Sequence, residues 1–473
     1  MEAGENQNPY QFGMGLTPRA RCLSKEQLLI RSGPNLTIMP TPYPYPVIFL
    51  PGIMGSALRD QYPVDPETVW SPFKLLIKAY DRITPHPSDT RYELQEPARV
   101  TADQVFGLVY SEFVEELRHN LSPQADEPVP VFPFAFDWRQ PLENIEAALA
   151  DFIDEVIGRT ALLKHYHDAG YGGKQFPAKV NLAAHSMGGM IVTGYLQKNG
   201  QDKVNKIATI ATPFRGSLEA VAKTATGAAS LGASGGSSRE REAARVTPSL
   251  YYLLPSFAGS VQADEDLSDD LFLPGSWQPG ILQTLSSFIR MYGLDPANPD
   301  QQALDLLKQM LDAAWRHRTR MERLQLDNTK DWLSIVGVNA TTRVQLRITK
   351  SGDGTPRFVL DDGDVRNEWE KPDLALHVFT GDNTVPYFGA RSKFIPTEEV
   401  VCLTPGDFSF WEFGDKLLAQ TGFHSSLPNM NVVQRLVVSH FKGQQYGDVW
   451  GRPAPDLDPK TAWDPPIPGL RAK

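Results

Sequence analysis

The chain has 473 residues, 41% hydrophobic and 22% charged, with a formal net charge of −10, an ordinary globular composition. An acidic chain without a Lys/Arg stripe argues against nucleic acid as a partner and against a polybasic membrane anchor. Its two cysteines, Cys22 and Cys402, lie in no metal-type spacing, which argues against a disulfide framework or a Cys-based zinc site.

No apolar run approaches the roughly 18 residues of a spanning helix, so no helix is expected to cross a membrane, which leaves room for transient contact with a membrane surface. Met1 to Pro40 shows no basic segment followed by an apolar one. No signal peptide is therefore visible, and the expected location is the cytoplasm. The same segment is polar and bears Gly and Pro, as an arm wrapping a core would. Length alone suggests about three domains. The candidate catalytic residues found below lie hundreds of positions apart, however, and must meet in one fold.

Val47-Ile48-Phe49-Leu50 is a continuous apolar run, the mark of a strand buried on both faces of a parallel sheet. It ends in Pro51-Gly52-Ile53-Met54-Gly55-Ser56. Tyr110 to His119 has helical periodicity, Val129 to Phe136 reads as a strand, and Leu142 to Leu163 as an amphipathic helix. Val180 to Ala184 is a strand, Gly188 to Lys198 a helix, and Val204 to Ala211 the next strand. Strands alternating with helices predict a right-handed parallel sheet with helices on both faces.

The alternation then stops. Thr224 to Ser238 is rich in Gly, Ala and Ser and reads as a mobile loop. Ser249 to Leu254 and helices around Ile281 to Tyr292 and Gln302 to Leu324 follow with no strand between. The simplest account is a helical insertion, about 216–330, over the sheet edge. Strands resume at Trp332 to Val338. Val344 to Ile348 and Arg357 to Leu360 flank Ser351-Gly352-Asp353-Gly354 as a hairpin. Leu374 to Phe379 and Val400 to Thr404 supply later strands, and Asn431 to Phe441 a closing helix. The expected division is an arm over 1–40, a main domain over 41–445 and a Pro-rich tail over 446–473.

Ala184-His185-Ser186-Met187-Gly188-Gly189, between strand and helix, reads as a nucleophile elbow. Small residues two before and two after the serine let the helix backbone pack against the strand it has just left. The other account of Ser186 is a plain helix N-cap. A serine hydroxyl needs a base, and the base needs an orienting carboxylate. Asp382, in Gly381-Asp382-Asn383-Thr384-Val385-Pro386, and His424, before the closing helix, follow Ser186 in the order that strand–helix hydrolases use. As a plain loop residue, Asp382 would only close an Asx-turn.

A tetrahedral oxyanion needs two N–H donors. Met187, directly after the serine, is one. Ile53 is the preferred second, from the Gly52–Gly55 turn, with Met54 as second choice. Among the other histidines, His185 should leave the elbow in another direction, His377 should pack within a strand, and His440 lies inside the closing helix. His86, His119 and His317 have no nameable partner. His165 and His167 form a His-x-His pair without a clear third ligand, so no metal is expected. No step needs a cofactor.

With these blocks in place the chain resembles the lecithin:cholesterol acyltransferase family of α/β-hydrolases. Phe49 to Ser56, Phe136-Asp137-Trp138-Arg139, Ala184 to Gly189, Ala211 to Ser217, Pro248 to Pro255, Gly381 to Pro386 and Gly422-Phe423-His424 occur in family order. The resemblance implies an α/β-hydrolase core with a helical cap, an acyl-enzyme on Ser186 with Asp382 and His424 as partners, and acyl esters of lipids as substrates. It also implies a structural corner in which Asp137 and Arg139 pair. Animal members carry cysteine pairs, one around the lid. Here no cysteine falls between Cys22 and Cys402, which fits a cytoplasmic bacterial relative whose lid is held by packing. The expected activity is that of a serine hydrolase or O-acyltransferase on a lipid-like ester, with water or an alcohol as second acceptor. An amidase or toxin-like hydrolase with the same three residues is the alternative, and a non-catalytic binding protein on this fold a weaker one.

Overall fold

β1 (Val47–Leu50) is four consecutive apolar residues, and all four side chains are buried in the computed structural model. Such burial is worth on the order of 1.5–3 kcal/mol for each large side chain. The structure describes residues 43–71, 73–74, 82–94, 98–227, 238–295, 297–360, 380–408 and 422–473. The expected arm over 1–40, the strand at 374–379 with His377, and the segment 228–237 lie outside these residues, as does Cys22.

After β1 the chain makes a three-stranded antiparallel sheet from β2 (Ser56–Asp60), β3 (Glu67–Trp70) and β4 (Val100–Val105). Then come β5 (Val131–Pro133), β6 (Val180–His185), β7 (Val204–Ile210), β8 (Val261–Ala263) and β9 (Trp332–Gly337). The hairpin β10 (Leu346–Lys350) and β11 (Pro356–Val359) and the strand β12 (Val401–Leu403) follow, and near the C-terminal end Trp450–Gly451 pairs with Arg471–Ala472. The central sheet has the order β12-β9-β7-β6-β1-β5, and every pairing in it is parallel. β6 and β9 are buried along their whole length, as the two-sided covering of a parallel sheet demands.

The helices Leu142–Ala161 and Met187–Asn199 pack together as one layer, and Gly107–Leu121 and Asn431–Lys442 pack together as the other. The insertion differs from its expected form. It contains a strand: β8 pairs in parallel with β10, three residues too short and too polar around Gln262 to register as a periodic run. Its longest helix, Pro299–Met321, packs on Met187–Asn199 and serves as the crossover between the neighbouring strands β7 and β9. Thr224, expected in a loop, belongs to the helix Leu218–Thr226, and Ser238 opens the helix Ser238–Val246.

Candidate active site

The loops that carry the singled-out residues leave the C-terminal ends of the parallel strands, where such sheets place functional groups. Ser186 forms the turn from β6 into Met187–Asn199 with φ 53° and ψ −126°. A side chain with a Cβ is strained there. Gly188 makes the turn feasible: a Cβ on it would lie 2.7 Å from the carbonyl oxygens of both Leu50 and Pro51. The Ser186 hydroxyl makes no capping hydrogen bond to the helix, so the plain N-cap account does not describe it. Its Oγ lies 2.9 Å from His424 Nε2 instead.

His424 stands in the single turn Phe423–Ser426. Its Nδ1 is 2.7 Å from Asp382 Oδ2. A carboxylate oxygen accepts, so Nδ1–H donates to Asp382, and Nε2 is left as the acceptor for the Ser186 hydroxyl proton. The other Asp382 oxygen accepts the N–H groups of Thr384 at 3.0 Å and Val385 at 2.7 Å, which fixes the carboxylate plane. The two loops are also joined through the backbone. His424 N–H donates to Asp382 O at 2.9 Å, and Phe423 N–H to Asn383 Oδ1 at 3.1 Å. Asn383 holds φ 79°, a conformation that asparagine tolerates better than most residues. Ser186, Asp382 and His424 are all buried.

The turn after β1 lies against the serine. A Cβ on Gly52 would sit 3.0 Å from Ser186 Cβ and 3.4 Å from Ser186 Oγ. Among the described residues the N–H groups of Ile53 and Met54 meet no acceptor. Met187 is the first helical residue, where an N–H has no intrahelical acceptor. The Met54 carbonyl accepts from Trp70 Nε1 at 3.2 Å, which ties the turn to β3.

Two further residues belong to this site. Gly52 N–H donates to the Tyr110 hydroxyl at 3.1 Å, and that hydroxyl is 2.8 Å from His185 Nδ1. His185 Nε2 lies 3.1 Å from the His424 carbonyl oxygen, with the two imidazole centroids 4.8 Å apart. His185, expected to leave the elbow in another direction, lies beside the base. Sequence reasoning set it aside and read Tyr110 only as the start of a helix. The available signal was its place at the buried end of β6, where a polar ring must find partners.

The remaining histidines have other surroundings. His440 is buried in the closing helix with Asp331 O 3.1 Å from its Nε2. His317, which had no nameable partner, meets the buried Glu146 at 2.7 Å. His165 Nε2 lies 3.0 Å from Pro128 O, and its ring sits against Tyr43 and Tyr166. Asp137 and Arg139 form a bidentate pair, both contacts at 2.9 Å, with Glu93 3.0 Å from the same guanidinium.

A parallel sheet of this order, with a strained serine turn at its middle and helices on both faces, is the architecture of an α/β-hydrolase. A chain in the crystal structure of the Tle4-Tli4 complex superposes on it with a TM-score of 0.59 at 15% identity, over 85% of this chain and 99% of that one. At that identity the likeness concerns the fold. Residues 108–330 match the family model for lecithin:cholesterol acyltransferase. No curated protein gives a significant match. Among the described residues, no helix is long and apolar enough to cross a membrane.

Proposed function

We propose that the chain is a serine hydrolase or O-acyltransferase of lipid-like esters that works through an acyl-enzyme on Ser186. The observation that carries this reading is the continuous hydrogen-bonded series Asp382–His424–Ser186, at 2.7 and 2.9 Å, on a strained turn. The match of residues 108–330 to the lecithin:cholesterol acyltransferase family model supports the ester substrate class.

In this mechanism His424 Nε2 takes the Ser186 proton as Oγ attacks the acyl carbonyl. Asp382 holds the imidazole in the required tautomer and stabilises the imidazolium that forms. The oxyanion lies between the N–H groups of Met187 and Ile53, with Met54 as the other donor the turn can offer. His424 then gives its proton to the leaving alcohol. Water or a second alcohol, activated by the same imidazole, opens the acyl-enzyme. Water gives an esterase or phospholipase reaction, and an alcohol gives acyl transfer.

The test incubates the purified protein with phospholipids, short esters and matched amides, with and without an acceptor alcohol, and identifies products by mass. Ester cleavage or acyl transfer supports the reading. Turnover of amides alone overturns the substrate class. A fluorophosphonate should label the wild type on Ser186 and leave Ser186→Ala unlabelled. Equal labelling of both would remove Ser186 as the nucleophile.

A further inference from the structure

We propose that Tyr110 and His185 are positioning residues that hold the oxyanion turn and the base-bearing loop in register on the two sides of Ser186. The inference rests on the serine-hydrolase reading above.

Three hydrogen bonds make the connection, and their directions follow from the chemistry of the atoms. A carbonyl oxygen only accepts, so His185 Nε2–H donates to the His424 carbonyl at 3.1 Å. In the neutral ring Nδ1 is then an acceptor, and the Tyr110 O–H donates to it at 2.8 Å. The phenol oxygen keeps a lone pair for the Gly52 N–H at 3.1 Å. The series runs Gly52 N–H to Tyr110 O–H to His185 to His424 C=O, with every donor and acceptor used once in one sense.

Its two ends are the two parts of the site that must not drift. Gly52 precedes Ile53, and its Cα hydrogens face Ser186 and His185, where a Cβ would come within 3.4 Å of both Ser186 Oγ and His185 Nδ1. The carbonyl of His424 belongs to the same residue whose ring takes the serine proton. Tyr110 and His185 are both buried, so water cannot replace a lost partner without entering the core.

The protonation states agree with this geometry. Burial, with the nearby His424 ring adding to it, pushes His185 well below the usual histidine range, so it stays neutral beside an imidazole that becomes charged during turnover. Burial raises the Tyr110 phenol, against the opposing Gly52 N–H, so it keeps the proton it donates.

Groups that matter most in the transition state change kcat more than KM. The test compares Tyr110→Phe, His185→Gln and His185→Leu with the wild type. It measures kcat, KM and the rate of fluorophosphonate labelling of Ser186, with turnover expressed per titrated active site so that unfolded molecules do not count. Tyr110→Phe should lose about ten- to a hundredfold in kcat and in labelling rate, the factor carried by an unpaired buried hydrogen-bonding group, with KM changed little. His185→Gln, whose amide can both donate and accept, should retain more activity than His185→Leu. If Tyr110→Phe does not fold, the order of the two His185 variants decides alone.

Wild-type kcat per site in Tyr110→Phe and His185→Leu, whatever happens to their melting temperatures, overturns the proposal and leaves Ser186 as nucleophile untouched. Failure of the wild type itself to label on Ser186 overturns both.

Discussion

In the proposed mechanism Asp382 is the residue whose role the geometry constrains most tightly. One oxygen faces His424 Nδ1 and the other is taken by two backbone N–H groups. Asp382→Asn keeps the shape but can present an amide N–H to Nδ1. The ring would then have to place its proton on Nε2, the atom that must accept from serine. Turnover should fall by about 10⁴ through this wrong tautomer, while the melting temperature changes little. Single-turnover acylation with a chromogenic ester reads the loss directly, and normal acylation would point to another carboxylate as the orienter. These side chains were legible in the sequence because their chemistry dictates local patterns: small residues around Ser186, an apolar run in the sequence before Asp382, a loop before the closing helix for His424. Tyr110 and His185 were not. Each obeys an ordinary helix or strand pattern, and their partners Gly52 and His424 are far away along the chain.

At the scale of elements, legibility followed burial. β1, β6 and β9 are buried on both faces, and their largely apolar runs, broken only by Asn181 and His185 in β6 and by Ser334 in β9, announce them. β2 and β4 do not announce themselves. Ser56–Asp60 mixes polar and apolar residues, its register shifts against both neighbours, and it pairs with a strand some forty residues on. The elbow is the element on which the site depends, and it depends on backbone contact. A Cβ at Gly188 would meet two carbonyl oxygens of the β1 end at 2.7 Å, and backbone cannot move aside as a flexible side chain can. Gly188→Ala should therefore destabilise the fold by about 1–3 kcal/mol, the usual cost of forcing an extra methyl into a packed interior. Urea unfolding followed by circular dichroism should show a lower midpoint with unchanged slope. A midpoint equal to that of the wild type would mean that strand and helix separate more easily than the packing implies.

For the whole molecule, the C-terminal segment closes what the sheet leaves open. β12 is an edge strand, and an unpaired edge invites association with other chains. Here Cys402 and Arg452 exchange both backbone hydrogen bonds, at 2.8 and 3.0 Å, and Trp463 Nε1 donates to Val400 O at 2.9 Å. The Pro- and Asp-rich composition of 446–473 suggested only irregular chain. Irregular it largely is, but it is fastened around one buried carboxylate. Asp407 accepts from Arg452, from Trp450 Nε1 at 2.9 Å, from Lys473 at 3.0 Å and from the Thr404 N–H at 2.9 Å. Burial alone would push this carboxyl up. The Arg452 guanidinium, the Thr404 N–H, Trp450 and Lys473 outweigh burial and hold it at about 2, against 3.8 ordinarily.

A carboxyl depressed in the folded state stabilises it above the ordinary value, and that contribution is lost as pH falls through the folded one. Asp407→Asn should thus be less stable than the wild type at neutral pH. The gap should narrow as pH falls from about 3.8 to about 2, read as urea midpoints across that range. Removing 446–473 takes away Arg452, Trp450 and Lys473 together, so Asp407→Asn should cost little in the truncated chain. An equal cost in both backgrounds would mean that Asp407 acts through Thr404 and its own turn, and that the C-terminal segment covers the edge of β12 without being anchored by that charge.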